Sequence, residues 1–120
     1  MRKGQLYFTV LVFSLFTSSL SEAQDKKNPG CYYTREKAAA DIKQNTAKIL
    51  IQGGFAPIIY ATDKGFFDKY KVAYYMFGCV APENVECLNE YNRAIFEHLD
   101  KTFGKNWRKE VRKDAIGLSL

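Results

Sequence analysis

The sequence has little of the residue chemistry from which catalytic sites are built. It contains a single histidine, His98, and its three cysteines form no C-x-x-C pair. The phosphate-loop patterns G-x-G-x-x-G and G-x-x-x-x-G-K-[ST] are both missing. A lone histidine without an i, i+4 partner is weak support for a metal site or a general base, so we interpret His98 as structural. We therefore expect no catalytic residue, no metal and no cofactor, and we favour a non-enzymatic protein over an enzyme.

Long apolar runs are also scarce, because only Leu6–Leu20 is nearly continuous apolar sequence. It follows the positive pair Arg2-Lys3 and has the length of a signal-peptide core. Small residues occupy the two positions that an exporting peptidase reads, so we predict that residues 1–23 are a signal peptide cut after Ala23. A retained N-terminal anchor is the competing interpretation. No second run is long enough to cross a bilayer, so we expect no transmembrane segment in the mature chain and a periplasmic or secreted location.

A strong excess of one charge is missing as well. Removing Arg2, Lys3 and Glu22 from the 18 basic and 13 acidic residues of the whole chain leaves a net charge of +4. This mild excess suits weak attraction to anionic surfaces and does not indicate nucleic-acid binding. The mature chain is long enough for one hydrophobic core but not for two.

What the sequence does contain is an alternation of helical and strand patterns. Two short runs of apolar, β-branched or aromatic residues predict strands at residues 48–52 and 72–77. The stretch between them is long enough for a crossover between parallel neighbours and too long for a tight hairpin. We expect a flexible N-terminal segment over residues 24–33 and a single small α/β domain over residues 34–120. Its predicted order is α-β-α-β-α-α, with a minimal two- or three-stranded sheet.

Capping residues and apolar periodicity predict four helices. The strongest signal is a stripe of apolar residues at three- and four-residue steps, which predicts a long helix over residues 82–103. The four predicted helices are Arg35–Asn45 capped by Thr34, a short helix capped by Thr62-Asp63 that ends near Tyr70, the long helix Pro82–Phe103 closed by Gly104, and Trp107–Ala115 capped by Asn106.

The run Phe55–Tyr60 is ambiguous. It could be a third strand, which Pro57 would confine to a sheet edge, or an apolar loop that leads into a helix, and we favour the loop slightly. Gly53-Gly54, directly before it, predicts a tight turn or a close backbone approach.

Aromatic residues are more numerous than two short strands can easily hide. Two parallel strands also leave both edges of a sheet open. Either Phe55–Tyr60 supplies a third strand or another copy of the chain covers the exposed surface. The second option leads to the hypothesis of a homodimer.

The three cysteines are Cys31, Cys79 and Cys87. Export implies an oxidising compartment, where one disulfide can form and one thiol is left over. The chain rises from the second strand through Cys79, and the long helix descends to Cys87, so the two residues reach a similar height. We predict a structural disulfide between them, with Cys31 as a free thiol. The alternatives are a reactive Cys79 thiolate at the carboxyl end of a strand, and pairing with Cys31 or with another chain.

Basic residues surround Trp107 near the C terminus. One interpretation is a cationic binding surface with an aromatic anchor, which would meet an acidic protein, an anionic envelope glycan or a lipid headgroup. The other, which we favour, is that Trp107 and Val111 dock the last helix and the charges form its solvated side. The candidate surface consists of Trp107, Arg108, Lys109, Arg112 and Lys113.

Parts of the chain resemble a class of known proteins. The run Tyr75-Met76-Phe77-Gly78-Cys79, the later Cys87 and Tyr91-Asn92, and the run from Phe103 to Asp114 are similar to small exported bacterial proteins of unknown function. The resemblance covers the second half of the chain. It implies a bacterial, exported origin and brings no catalytic residues.

These observations lead to one functional hypothesis and two alternatives. We predict an exported small binding or interaction protein without catalytic activity. The first alternative is a thiol-dependent redox or transfer protein that uses Cys79. The second is an inhibitor or immunity-type protein.

Overall fold

The computed structural model describes residues 30–79 and 84–119. The predicted signal peptide, residues 1–23, lies outside the described residues. The described residues form a small mixed domain in the predicted order α-β-α-β-α-α, and the long helix and the parallel pair of strands are confirmed. The elements are α1 (Arg35–Lys43), β1 (Lys48–Ile51), α2 (Ala61–Tyr70), β2 (Ala73–Met76), α3 (Val85–Phe103) and α4 (Trp107–Glu110).

The two strands pair in parallel, from Lys48 opposite Ala73 to Ile51 opposite Met76. Each strand is slightly shorter than predicted. Strand β1 is almost completely buried, which explains its continuous apolar sequence. Helix α2 makes the crossover between the strands, as the length of the intervening stretch predicted.

The free edge of β1 is covered by the C-terminal segment. The predicted helix Trp107–Ala115 is wrong beyond Glu110, because Val111 is extended. The chain then turns back, so that Ala115 pairs antiparallel with Ile51. The Ile116 amide donates to the Leu50 carbonyl at 3.0 Å. Buried backbone groups at a sheet edge must find partners, and this requirement overrides the helical pattern of the sequence.

Helices α1 and α2 begin with hydrogen-bonded caps. The predicted cap of α1 is confirmed, because the Thr34 hydroxyl accepts from the Lys37 amide at 3.1 Å. Helix α2 begins earlier than predicted. Asp63 is therefore not an N-cap but lies in the first turn, where its carboxylate accepts from the Tyr60 amide at 3.0 Å. An acidic side chain in this position satisfies a free amide and suits the positive end of the helix dipole.

Helix α3 begins at Val85, three residues later than predicted. The Asn84 side chain accepts from the Cys87 amide at 3.4 Å and caps the helix. The predicted first residue, Pro82, lies outside the described residues. The helix ends at the predicted Gly104, whose positive φ of 71° favours glycine. Its buried stripe is Cys87, Leu88, Tyr91, Asn92, Ile95, Phe96 and Leu99.

The core lies between this stripe, the sheet and the other helices. Trp107 is fully buried and stacks on Phe96, with ring centroids 5.3 Å apart. Within residues 30–79 and 84–119, no helix is both long and apolar enough to cross a membrane.

Candidate functional site

The disulfide joins Cys31 to Cys87, with Cα atoms 6.0 Å apart, and Cys79 is free and exposed. The predicted pair Cys79–Cys87 is therefore wrong, and so is the assignment of Cys31 as the free thiol. Cys79 lines a cleft that Val85 and Asn89 of α3 also face. Cys87 lies about half a turn round the helix from those two residues, given 3.6 residues per turn. A similar height along the helix axis does not bring two cysteines together when they lie on different sides of the helix.

The disulfide also attaches the segment before α1 to the rest of the domain. Residues 31–33 belong to the packed domain and not to the flexible segment predicted over residues 24–33. Tyr33 packs edge-to-face against Tyr91 and Phe77, at centroid distances of 5.2 and 5.5 Å. Residues 24–29 of that segment lie outside the described residues.

The candidate basic surface does not form, and Trp107 and Val111 are buried as the favoured interpretation expects. Trp107 is buried, and its indole N–H donates to Asp100 at 2.9 Å. The Arg108 guanidinium lies over the Trp107 ring at 4.7 Å and pairs with Asp100 at 2.8 Å. These hydrogen bonds, Arg108 first, hold the pKa of Asp100 below its ordinary value. Of the five residues, only Lys109 and Lys113 are exposed.

Arg112 is buried and connects three parts of the chain. It pairs with Asp114 at 2.7 Å and with Asp63 at 3.2 Å. It also donates to the Ile58 carbonyl at 2.9 Å. The Asp114 carboxylate raises the pKa of Arg112 above its ordinary value, so this guanidinium is charged at every accessible pH.

Two tyrosine rings complete the surroundings of Arg112. Its guanidinium carbon lies 4.6 Å from the centroid of Tyr60 and 5.6 Å from that of Tyr74. The Tyr74 hydroxyl accepts from the Arg112 amide at 3.3 Å. Burial raises the pKa of Tyr74 to about 12, so this hydroxyl stays neutral. Arg112 is thus a structural cation rather than a free binding group.

The most exposed apolar side chains lie in the segment Phe55–Tyr60, which we call the apolar loop. It forms no strand, and the preference for a loop is confirmed. Phe55 is fully exposed and Ile59 is 84% exposed, while Ile58 and Tyr60 are about half exposed. Residues 53–62 carry no charged side chain. An exposed run of large apolar residues with no charge among them is typical of a contact surface.

The backbone of the apolar loop is held at both ends. Before it, Gly53 passes so close to β2 that a Cβ atom there would lie 1.2 Å from the Phe77 carbonyl oxygen. The predicted close approach at the glycines is thus confirmed, and no other residue fits. After it, Arg112 holds the Ile58 carbonyl and Asp63 holds the Tyr60 amide. The loop therefore presents its side chains from a fixed frame.

A cleft of about 460 Å³ lies beside the apolar loop. Its walls come from the residues that follow both strands, the first turns of α3 and the C-terminal segment. The Cys79 sulfur lines it and lies 3.7 Å from the Gly54 carbonyl oxygen. The carboxyl ends of parallel strands are a common place for ligands, and the cleft lies there. Its polar wall residues include Gln52, Asn89 and Asp114.

The remaining candidate residues form no recognisable catalytic or metal-binding group in the described part of the chain. His98 is half-buried on α3. Among the residues that the structure describes, no three histidine, cysteine or carboxylate side chains form a group that could hold a metal ion.

Comparisons with protein-family models, with curated proteins and with solved structures give no match. The choice of the apolar loop as the candidate contact surface therefore depends on the geometry of the structure alone. Sequence reasoning missed the contacts of Arg112 and the exposure of Phe55–Tyr60. The lack of charge over residues 53–62 was a signal in the sequence that could have indicated this exposed loop.

Proposed function

We propose that the protein is an exported, non-catalytic binding protein whose contact surface is the apolar loop. The observation that carries this proposal is the full exposure of Phe55 together with that of Ile59, on a backbone held by Arg112. Exposing such side chains to water is costly, by about 1.5–3 kcal/mol each relative to burial, and a bound partner recovers that free energy. A fixed frame reduces the entropy that binding must overcome.

The compartment is part of the proposal. The disulfide between Cys31 and Cys87 supports an oxidising location, periplasmic or secreted, since such bonds persist there. The partner could also be a second copy of the chain. The edge of β1 is not free for such pairing, however, because Ala115 pairs with Ile51 there.

Site-specific photocrosslinking in the producing cells tests the contact surface. A photoreactive phenylalanine analogue at position 55 is expected to give discrete crosslinked products. The same analogue at position 64, an exposed site on α2, is the matched control and is expected to give few. Equal products from both positions, or none from position 55, would contradict the proposal.

A second candidate function is a thiol-dependent redox or transfer reaction at Cys79. The observation in its favour is that this thiol is free, exposed and part of the wall of the cleft. Thiol titration of the native protein tests it. Reaction of Cys79 with a small disulfide at a rate well above that of a free cysteine would favour this function, and an ordinary rate would exclude it.

A further inference from the structure

We propose that the apolar loop docks on an anionic phospholipid bilayer, with Phe55 and Ile59 inserted at the level of the headgroups. This inference rests on the proposed function and names the partner of the same surface. It also predicts that the protein is held at the surface of the bilayer and does not cross it.

The shape of the surface favours a bilayer over a protein groove. The two most exposed apolar side chains lie on a connecting loop, and neither of them is among the described residues that line the cleft. Hot spots between proteins lie in well-packed, desolvated pockets, which demand a recess on the partner for each projecting ring. A bilayer accepts projecting apolar side chains of any arrangement.

The residue types fit the boundary between headgroups and hydrocarbon. Phe55 and Ile59 supply apolar area, and Tyr60 is half-exposed with a hydroxyl that can remain hydrated. Two backbone groups of the loop need no water, because Pro57 has no N–H and the Ile58 carbonyl is held by Arg112. Shallow insertion leaves the remaining backbone groups in contact with water, as a backbone without regular secondary structure requires.

The net charge of the chain favours an anionic bilayer over a second copy of the chain as the partner. The formal net charge of the chain is +5, and the predicted mature form keeps an excess of +4. Two copies would repel each other, whereas an anionic membrane attracts each one. The absence of charge over residues 53–62 means that no ion must be desolvated at the point of insertion.

Vesicle flotation tests the proposal. The protein is purified as the exporting cell delivers it, and mass spectrometry of its N terminus ensures that an uncleaved apolar leader is not mistaken for loop binding. Vesicles consist of phosphatidylcholine with or without phosphatidylglycerol. We expect binding to the mixed vesicles, several-fold weaker binding to phosphatidylcholine alone, and partial weakening by salt.

The decisive variant is Phe55→Ser with Ile59→Ser, for which we expect a fall of at least tenfold in the partition coefficient. The matched control is Phe103→Ser, which removes one half-exposed ring that packs on Tyr70, at the opposite end of α2 from the apolar loop. It is expected to bind like the wild type. Thermal unfolding of each variant ensures that only folded protein is compared.

Three outcomes would overturn the inference: no flotation of the wild type, equal flotation of the double variant, or an oligomer that the double variant dissolves. Failure of flotation together with specific crosslinks from position 55 to a protein would overturn the lipid partner and leave the proposed function standing. Failure of both experiments would overturn the two together.

Discussion

Asn92 shows how a single buried side chain can complete a sheet edge. It is fully buried on α3 and makes three hydrogen bonds of 2.8 Å, two with the amide and carbonyl of Leu50 and one with the carbonyl of Ile116. The side chain thus offers Leu50 the donor and the acceptor that a neighbouring strand would otherwise supply. Its sequence position, on the apolar stripe of α3, indicated burial but not this role.

Replacing Asn92 by leucine is therefore expected to destabilise the protein strongly. The change leaves the Leu50 amide buried without its partner, and we expect a loss of about 1–3 kcal/mol in the free energy of unfolding. Urea denaturation gives this value directly. The control Arg93→Ala, on the exposed side of the same helix, should change it by less than about 0.5 kcal/mol. A loss below 1 kcal/mol for Asn92→Leu would contradict the role of the amide.

Asp41 is the residue whose charge state is most closely tied to folding. It is buried, accepts from the Tyr91 hydroxyl at 2.7 Å and pairs with Lys37. Burial alone would raise the pKa of Asp41, but the hydrogen bonds from Lys37 and Tyr91 outweigh it and hold that pKa below the ordinary value. Since the folded pKa is lowered, the unfolded chain binds the proton more tightly near pH 4. The stabilisation is complete above the unfolded pKa and is lost as the pH falls through the folded one.

The expected result is a fall in stability below about pH 4, near the ordinary pKa of aspartate. In the variant Asp41→Asn this part of the pH dependence should be missing, and the variant should be less stable than the wild type at neutral pH. Denaturant unfolding between neutral pH and acid measures both effects. Asp68→Asn, an exposed ion-pair partner of Lys64, is the matched control and should leave the acid profile unchanged. An identical acid profile for Asp41→Asn and the wild type would refute the assignment.

At the scale of the elements, the disulfide ties the segment before α1 to the start of α3. The two cysteines are 56 residues apart, so the bond closes a large loop that spans the whole sheet. A loop of this size is worth about 4 kcal/mol in the chain-entropy model. We expect Cys31→Ser to lose a few kcal/mol of unfolding free energy, whereas Cys79→Ser should leave stability nearly unchanged. Peptide mapping after alkylation of the native protein should label Cys79 alone, and label on Cys31 would contradict the pairing.

The apolar loop depends on Arg112, which joins it to α2 and to the C-terminal segment. Lysine keeps the charge but cannot form the forked bond to Asp114 while also reaching the Ile58 carbonyl. For Arg112→Lys we expect faster hydrogen exchange over residues 54–60 and weaker binding of the partner. Lys109→Met, at a neighbouring exposed site, should change neither. Unaltered exchange in Arg112→Lys would show that the frame of the loop has another source.

Local signals and distant contacts explain which features the sequence could predict. The Thr34 cap and the apolar stripe of α3 depend on neighbouring residues, and both were predicted. The partner of Cys31 and the contacts of Arg112 depend on side chains that only the fold brings together, at angular positions that a linear pattern does not contain. The apolar loop lies between these cases, because its lack of charge can be read from the sequence and its exposure cannot.

At the scale of the whole molecule, the C-terminal segment closes a fold that parallel pairing leaves open. Strand β1 lies between β2 on one side and Ala115 on the other, so the last described residues complete the only sheet in the described part of the chain. Residues after Val111 supply the Ile116 amide for Leu50, the Asp114 carbonyl for Gln52 and the guanidinium of Arg112. The central strand therefore depends on the segment that follows Val111.

Truncation after Val111 is accordingly expected to prevent cooperative folding rather than to shorten the protein harmlessly. The exposed edge of β1 is apolar and free to pair with other chains, so the truncated product should aggregate. Far-UV circular dichroism during urea titration and light scattering measure the two effects. Truncation after Leu118 keeps the bonds to β1 and is expected to unfold in one transition close to that of the full chain. If the shorter product also unfolds in a single sharp transition as a monomer, the C-terminal segment is an accessory to the sheet and not a part of it.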